Sequence, residues 1–307
     1  MSEASPTETA RSRGTVLVTG AAGFTGRYLR AELQQAGYAV AGLTLDNPGT
    51  SDLRSDLTDR DGLEAVLGRV APHYVVHLAG VSFVGHQDTA EFRRVNVDGS
   101  RNLLEACLAL RPLPRKVILA SSANVYGLPR AEPIGEDHPL APVNEYGHSK
   151  LAMEELARRM FDRLPIIIAR PFNYTGVGQD ARFVVPKIVG HFQSGAPTLE
   201  LGDTSVVRDL SDVRDVAQIY RRLLESECDG ETVNLCSGSG VSLVQIIDML
   251  SDITGRRPHV SFSTQLVRAA EIPRLVGSAG KLERIIGRRP ARPFRATLEW
   301  MYRTRGA

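Results

Sequence analysis

The sequence has little of what several protein classes depend on. Its 307 residues include only three cysteines, Cys107, Cys228 and Cys236. They form no CxxC pair, which excludes a disulfide framework and favours a reducing, cytoplasmic compartment. The 37 Lys and Arg residues against 35 Asp and Glu leave a net charge of +2, so nothing general points to nucleic acid or an anionic membrane as partner. No apolar run has the length that crosses a bilayer.

Residues 1–13 also lack the apolar core of a signal peptide, and we expect a disordered leader there. What the sequence does have is a hydrophobic fraction of 42%, enough for a large core. Short β-branched runs that are apolar throughout alternate with longer amphipathic stretches. We predict strands at 15–19, 39–45, 74–79, 116–121 and 165–170, and helices at 26–36, 59–69, 88–110 and 146–164. This βαβαβ order favours a doubly wound parallel sheet of the Rossmann type, with another α/β fold as the alternative.

The rhythm changes after Pro171, where a loop rich in Gly and Asn begins. The later pattern predicts helices at 183–193, 212–224 and 242–253, and strands at 198–201, 232–236 and 259–263. We therefore predict a Rossmann core over 14–171, completed by about 205–240. Residues 172–204 and 241–307 would form a smaller α/β substrate lobe, with a cleft between the two parts.

A glycine-rich loop, TGAAGFTG, follows the first predicted strand and opens the first helix. Gly20 permits a tight turn, Gly23 lets a diphosphate approach the backbone, and Gly26 lets the helix pack closely. The free N–H groups of the helix start, including Phe24 and Thr25, would hold the diphosphate. The alternative is that these glycines serve only the turn and its packing.

The end of the second strand is where such a fold reads the cofactor ribose. Thr44 stands at the usual position of an acidic residue, and its neutrality leaves room for a 2′-phosphate. We therefore expect NADP(H), with NAD(H) possible if Asp46 curls back. Asp56 and Leu57, in the segment SDLTD, would contact the adenine; a helix cap is an equal alternative for Asp56.

A Ser–Tyr–Lys set lies between the fourth and fifth predicted strands. Tyr146 and Lys150 lie four residues apart, on one face of a predicted helix. An ammonium beside a phenol lowers its pKa from about 10. Ser122 ends a buried strand, at the sheet edge where ligands bind, and could hold a substrate carbonyl while Tyr146 protonates it. Asn96 could orient a water leading from Lys150, or be a buried amide satisfied by backbone.

In this order the glycine loop, HLAG at 77–80, SSANVYG, YGHSK and ARPFN resemble the extended short-chain dehydrogenase/reductases, over roughly 15–290. The resemblance implies Ser122 and Tyr146 as catalytic residues and Lys150 as the ligand of the nicotinamide ribose. It also implies that Leu78, Ala79 and Gly80 line the cofactor and that Asn173 contacts a sugar-nucleotide diphosphate. In this family two long helices often pack as a four-helix bundle, so the segments 88–110 and 146–164 predict a homodimer.

Within that family, sugar-nucleotide dehydratases carry an acid directly after the catalytic serine, where Ala123 and Asn124 stand here. Simple hydride transfer is therefore favoured. In the C-terminal half, RFVVPKIVGHFQSG and LELGDTSVVRDLSDVRDVA resemble the branch that acts on GDP-mannose and GDP-4-keto-6-deoxy-mannose. HLAGVSFV, ARPFNYTGVGQ and VNLCSGSGVSL are most similar to the reductase of that branch. That resemblance implies reduction of GDP-4-keto-6-deoxy-D-mannose to a GDP-6-deoxyhexose such as GDP-D-rhamnose. The residues that would hold the GDP-sugar are Lys187, Arg208, Arg268 and Glu271.

Two alternatives stay open. A nucleotide-sugar 4-epimerase would use the same triad and retain its NAD. A non-enzymatic nucleotide-sensing protein on the same scaffold would often lack the Tyr or Lys that this sequence has. We predict no metal at the site.

Overall fold

A computed structural model describes residues 13–45, 52–86, 88–266 and 271–304. The leader predicted for 1–13, apart from Arg13, lies outside these residues, as do Asp46 and Arg268. The strands are β1 (Thr15–Thr19), β2 (Ala39–Thr44), β3 (Asp52–Arg54), β4 (Tyr74–His77), β5 (Lys116–Ala120), β6 (Ile166–Pro171), β7 (Asn173–Thr175), β8 (Thr198–Leu201), β9 (Val207–Asp212), β10 (Glu231–Leu235), β11 (Gly240–Ser242), β12 (His259–Phe262) and β13 (Arg274–Leu275).

Helices occupy the segments between and after these strands. They are α1 (Phe24–Gln35), α2 (Arg60–Val70), α3 (Thr89–Glu91), α4 (Gly99–Ala109), α5 (Glu145–Arg158), α6 (Val184–Ser194), α7 (Val213–Glu225), α8 (Leu243–Thr254), α9 (Gly280–Ile286) and α10 (Phe294–Arg303). A π-helical segment (Phe92–Asp98) joins α3 to α4, and a 3₁₀ turn (Ala123–Tyr126) follows β5. No helix in the described part of the chain is long and apolar enough to cross a membrane.

Seven parallel strands form the main sheet in the order β10-β6-β5-β4-β1-β2-β3, which confirms the predicted doubly wound fold. Its central strands are buried along almost their whole length, as in the IIIA run of β6, because helices cover both faces. One face packs against α2, α4 and α5, and the other against α1, α7 and α9. The chain order reverses between β1 and β4, so the cleft for ligands opens at their carboxyl ends.

The second part of the molecule is built on a smaller sheet of β11, β9 and β13, with β7 also paired to β9. The two-stranded pair β12-β8 and the helices α6, α8 and α10 enclose its own apolar cluster. Within the segment 205–240, α7 and β10 complete the main sheet, whereas β9 belongs to the smaller one. After Pro171 the chain therefore passes back and forth between the two sheets.

Two predicted helices differ from those in the structure. The segment 88–110 contains one π-helical stretch between two α-helices, and Asn96 within that stretch is buried and binds the backbone of Val81. The helix predicted to reach residue 164 ends at Arg158, and the remaining residues form turns that bury Leu164. Apolar periodicity continues through such turns, so it does not mark the helix end.

Candidate active site

A cleft of about 950 Å³ lies between the carboxyl ends of the main sheet and the smaller lobe. Nearly every site residue predicted from the sequence lines it. The lining residues are Gly20, Gly23, Phe24, Thr25, Gly26, Thr44, Asp56, Leu57, Leu78, Ala79, Gly80, Ser122, Tyr146, Lys150, Asn173, Lys187, Arg208 and Glu271. Asn96 does not line it, and Arg268 lies outside the described residues. The structure therefore brings residues from both halves of the sequence to one surface.

The glycine loop fits a diphosphate. Gly20 has a φ of +67°, and a Cβ there would lie 2.9 Å from the backbone nitrogen of Ala79. A Cβ on Gly26 would lie 2.3 Å from the Gly20 carbonyl oxygen, so larger residues would push α1 away from the loop. Gly23 is the N-cap of α1 and offers no side chain to the free N–H groups of the first turn. Those groups and the helix dipole are available to an anion.

The far end of the cleft has an unsatisfied polar atom. The Oγ1 of Thr44 is buried and has no hydrogen-bond partner among the described residues. A buried hydroxyl without a partner is uncommon and indicates a missing one. Asp56 accepts a hydrogen bond from the backbone nitrogen of Thr58, and Leu57 lines the same end. The donors and acceptors here suit the ribose and adenine of a dinucleotide, so the cleft fits that cofactor.

The Ser–Tyr–Lys set meets at the junction of β5 and α5. Lys150 Nζ donates a hydrogen bond of 2.8 Å to the carbonyl of Ala120 and lies 6.0 Å from the centre of the Tyr146 ring. Tyr146 and Ser122 are hydrogen-bonded to each other. Asn144 caps α5, accepting from the backbone nitrogen of Gly147 at 2.8 Å, and so fixes the first turn that carries the tyrosine.

The acid–base state of this set differs from the expectation. Burial raises the pKa of Tyr146 to about 12, and the hydrogen bond with Ser122 only partly opposes it. The expected lowering by Lys150 is not seen, and desolvation of the phenolate decides the direction of the shift. Burial also lowers the pKa of Lys150 to about 8. At neutral pH the site therefore holds a protonated phenol beside an ammonium, which is a proton donor.

Asn124 has a role that the sequence did not indicate. Its backbone nitrogen and its Nδ2 both donate to Ser122 Oγ, at 3.2 and 3.1 Å. Its Oδ1 accepts from Asn144 Nδ2 at 3.4 Å. Because two donors already reach Ser122 Oγ, the serine proton is directed to another acceptor, such as Tyr146 or a substrate oxygen. From the sequence, Asn124 is noticeable only because it stands where sugar-nucleotide dehydratases carry an acid.

Two buried side chains organise the loop 78–81 that lines the cleft. Asn96 accepts from the backbone nitrogen of Val81 at 2.8 Å and donates to its carbonyl at 3.0 Å and to Ser149. Its amide is thus satisfied mainly by backbone, the second of the two roles considered for it. His77 lies 2.7 Å from Thr19 Oγ1 and 2.9 Å from Ser100 Oγ. Burial, with a smaller contribution from Lys150, lowers its pKa to about 3, so it stays neutral.

The lobe side of the cleft carries paired charges. Arg208 binds Glu271 and the carbonyl of Val207, and Lys187 donates to the carbonyl of Glu200 at 2.9 Å. Asn173 is exposed on β7. The aromatic pair Phe83 and Phe183, with rings 6.0 Å apart, also borders the cleft; only proximity in the fold identifies it.

Comparisons with known proteins agree with this geometry. A model described as "NAD dependent epimerase/dehydratase family" matches residues 16–236. The chain is 34% identical over 294 residues to GDP-6-deoxy-D-talose 4-dehydrogenase of Aggregatibacter actinomycetemcomitans, covering 94% of this chain and 97% of that protein. It is 33% identical over 306 residues to GDP-6-deoxy-D-mannose reductase of Pseudomonas aeruginosa, covering 94% and 98%. The structure of RMD from Pseudomonas aeruginosa complexed with NADPH aligns with a TM-score of 0.83 at 32% identity, covering 94% and 98%.

Proposed function

The chain belongs to the NAD dependent epimerase/dehydratase family, and we propose that it reduces the 4-keto group of GDP-4-keto-6-deoxy-D-mannose to give a GDP-6-deoxyhexose such as GDP-D-rhamnose. It is a nucleotide-sugar-modifying, NAD(P)-dependent enzyme. The observation that carries the finer proposal is Asn124 on the catalytic serine. An amide exchanges no proton at neutral pH, so this position serves hydride transfer and not dehydration. The GDP-sugar names of two relatives support the substrate class.

The residues of this chain divide the remaining work. When bound, the nicotinamide supplies the two electrons, as hydride, for the keto carbon. Ser122 and Tyr146 lie together on the cleft wall, where both can donate hydrogen bonds to the keto oxygen. Tyr146 enters protonated and gives its proton to that oxygen as negative charge develops. Lys150 stabilises the phenolate left behind.

The cofactor would be held along the main-sheet side of the cleft. The residues that fit its diphosphate are those of the glycine loop, and Thr44 fits the ribose end. A neutral threonine exerts no repulsion on a 2′-phosphate, so we propose NADPH as the favoured donor and NADH as usable. The NADPH complex of the Pseudomonas aeruginosa neighbour supports this order, and NAD complexes of other neighbours support the second donor.

The direct experiment is incubation of the purified protein with GDP-4-keto-6-deoxy-D-mannose and NADPH or NADH. We expect loss of absorbance at the reduced nicotinamide wavelength, with one equivalent of cofactor oxidised per GDP-6-deoxyhexose formed. The stereochemistry of the product at C4 is then read from its NMR couplings. No cofactor oxidation with this substrate would refute the proposal.

The same experiment separates a 4-epimerase, which the family description and several UDP-glucose 4-epimerase relatives make the second candidate. An epimerase ends each cycle with the cofactor it started with, so it retains NAD. We expect mostly cofactor-free protein on purification. Stoichiometric bound NAD, with hexose interconversion and no net NAD(P)H oxidation, would favour the epimerase.

We also propose a homodimer through a four-helix bundle. A groove of about 400 Å³ runs between the π-helical segment and α5. Its lining combines apolar side chains, Val97, Ala152 and Leu156, with charged ones such as Arg93, a mixture that suits a helix-pairing surface. Light scattering at micromolar concentration should give twice the chain mass, and a monomer would contradict the proposal. The cytoplasmic location remains a prediction.

A further inference from the structure

Three consecutive residues at the end of β5 each contact a different turn of α5. The carbonyl of Ala120 accepts from Lys150 Nζ at 2.8 Å. The hydroxyl of Ser121 donates to Glu154 Oε1 at 2.5 Å, and Ser122 bonds Tyr146. The three helix residues are spaced by four, so they form one column on the helix face toward the strand. Two of these helix residues, Tyr146 and Lys150, belong to the proposed catalytic set. The third, Glu154, has no assigned role.

Glu154 is a fully buried carboxylate. Besides Ser121 it accepts from Arg170 Nε at 2.9 Å and Arg170 Nη2 at 2.7 Å. Arg158 Nη2 reaches it at 2.6 Å from the surface side. Although burial alone would raise the pKa of Glu154, the hydrogen bonds from Arg170 and Ser121 outweigh it and lower the pKa. The carboxylate is therefore ionised in the interior, one helical turn from Lys150.

We propose that Glu154 is a positioning residue of the active site: it keeps Lys150 in its charged form from one turn away, and through Ser121 it fixes the segment that carries Ser122. An arginine pair alone would be a structural feature. The hydrogen bond from Ser121 connects the Glu154–Arg170 pair to the strand end that carries Ser122. The shared helix face connects the same pair to Lys150.

Among the described residues, Glu154 is the charged group that supports the charge of Lys150. His77 of β4 stays neutral, with a pKa of about 3, and Tyr146 stays protonated, with a pKa of about 12. Asn96 of the π-helical segment, which with Lys150 borders Gly80, is uncharged. Arg170 of β6 is bound to Glu154 itself. Burial opposes the charge on Lys150 while Glu154 supports it, so loss of the carboxylate charge lowers the lysine pKa.

The sequence permits a direct measurement, because it contains only four lysines: Lys116, Lys150, Lys187 and Lys281. Protein labelled with ¹³C at lysine Cε gives four signals, and Lys150→Arg identifies the one of interest. In Glu154→Gln we expect the pKa of Lys150 to fall by about one unit, as for loss of a nearby opposite charge. Glu154→Asp keeps the charge and should restore most of it. Glu227→Gln, which removes an exposed carboxylate, should leave it unchanged. An unchanged Lys150 titration in Glu154→Gln would overturn the proposal.

The alignment of Ser122 is tested separately by Ser121→Ala, which keeps the Glu154–Arg170 pair and therefore folds even if Glu154→Gln does not. This arm rests on the proposed reductase function. We expect kcat to fall about tenfold, the size of one hydrogen bond to a charged group, with KM for NADPH unchanged. Wild-type kcat in Ser121→Ala would refute the connection to Ser122. The lysine titration needs no substrate, so failure of the reductase assay in the wild type leaves its outcome intact.

Discussion

The two walls of the cleft are built on different principles. On the main-sheet wall, Ser122, Tyr146 and Lys150 are buried, and Ser122 and Lys150 are hydrogen-bonded to Asn124 and to the carbonyl of Ala120. On the lobe wall, Arg208 and Glu271 are partly exposed and bound to each other. The reacting groups are thus held ready before substrate arrives, whereas the groups that would read the nucleotide sugar must exchange one partner for another.

This contrast predicts different kinetic consequences. A change on the main-sheet wall removes an interaction made in the transition state and lowers kcat. A change on the lobe wall removes binding that substrate and transition state share, and raises KM. The Arg208–Glu271 pair lines the cleft and is no part of an apolar core, so its substitution should leave the fold intact.

The largest effect is expected for Tyr146→Phe. It removes the proton that the keto oxygen receives and keeps the buried ring. We expect kcat to fall about 10²-fold or more, the usual contribution of a general acid, with NADPH affinity nearly unchanged by fluorescence titration. Tyr302→Phe, which alters a tyrosine away from the cleft lining, is the control. Near-normal turnover in Tyr146→Phe would remove this residue from the mechanism.

Next in size is Arg208→Gln. An arginine bound to a diphosphate contributes charge-assisted hydrogen bonds of about 1.5–3 kcal/mol. We expect KM for the GDP-sugar to rise about 10- to 100-fold with kcat within a factor of about three, measured by steady-state kinetics. Arg163→Gln, on an exposed turn, should change neither constant. A fall in kcat at constant KM would place Arg208 with the reacting groups and break the comparison of the two walls.

The same difference decides how much could be predicted from the sequence. Ser122, Tyr146, Lys150 and the glycine loop lie in short contiguous motifs, so motif spacing together with the family resemblance could predict that they share the cleft. Glu154 bonds Ser121 across 33 positions, and Arg208 bonds Glu271 across 63. Such pairs depend on how β5 meets α5 and how β9 meets the chain before β13, which spacing alone does not give.

The acid–base state was missed for a related reason. A tyrosine four residues before a lysine suggests a lowered phenol pKa, but the burial that raises it to about 12 comes from the surrounding fold. The π-helical segment is a similar case. Its sequence is compatible with a regular α-helix, and the contact of Asn96 with Val81 that accompanies the wider turn arises only when the chain is folded.

A third prediction concerns His77, which supports the main-sheet wall. Its pKa is about 3 in the folded protein and 6.5 ordinarily. Between these values the unfolded chain takes up a proton that the folded protein does not. The contribution of His77 to stability should therefore be constant above pH 6.5 and fall below it by up to about 1.4 kcal/mol per pH unit.

Urea unfolding of the wild type and of His77→Asn between pH 7 and 4.5 measures this dependence. The variant loses the titrating group, so its slope against pH should be shallower by about one proton, whatever its absolute stability. His259→Asn, which changes an exposed histidine, should keep the wild-type slope. Equal slopes in the wild type and His77→Asn would show that His77 does not stay neutral.

The smallest effect is expected at Thr44, because the ribose end of the cleft determines which donor is used and not the chemistry. Its Oγ1 is buried without a partner among the described residues, so a ligand oxygen can take it. Thr44→Asp places a carboxylate there, which can accept from a ribose diol but repels a 2′-phosphate by about 1–4 kcal/mol at 4 Å, depending on solvent screening. We expect the ratio of kcat/KM for NADPH to that for NADH to fall about tenfold. Thr44→Ser keeps a neutral hydroxyl and should keep the ratio. If Thr44→Asp leaves the ratio unchanged, Thr44 does not contact the ribose. The ribose end of the main-sheet wall would then not be arranged for its ligand before binding, in contrast to the proposed catalytic residues.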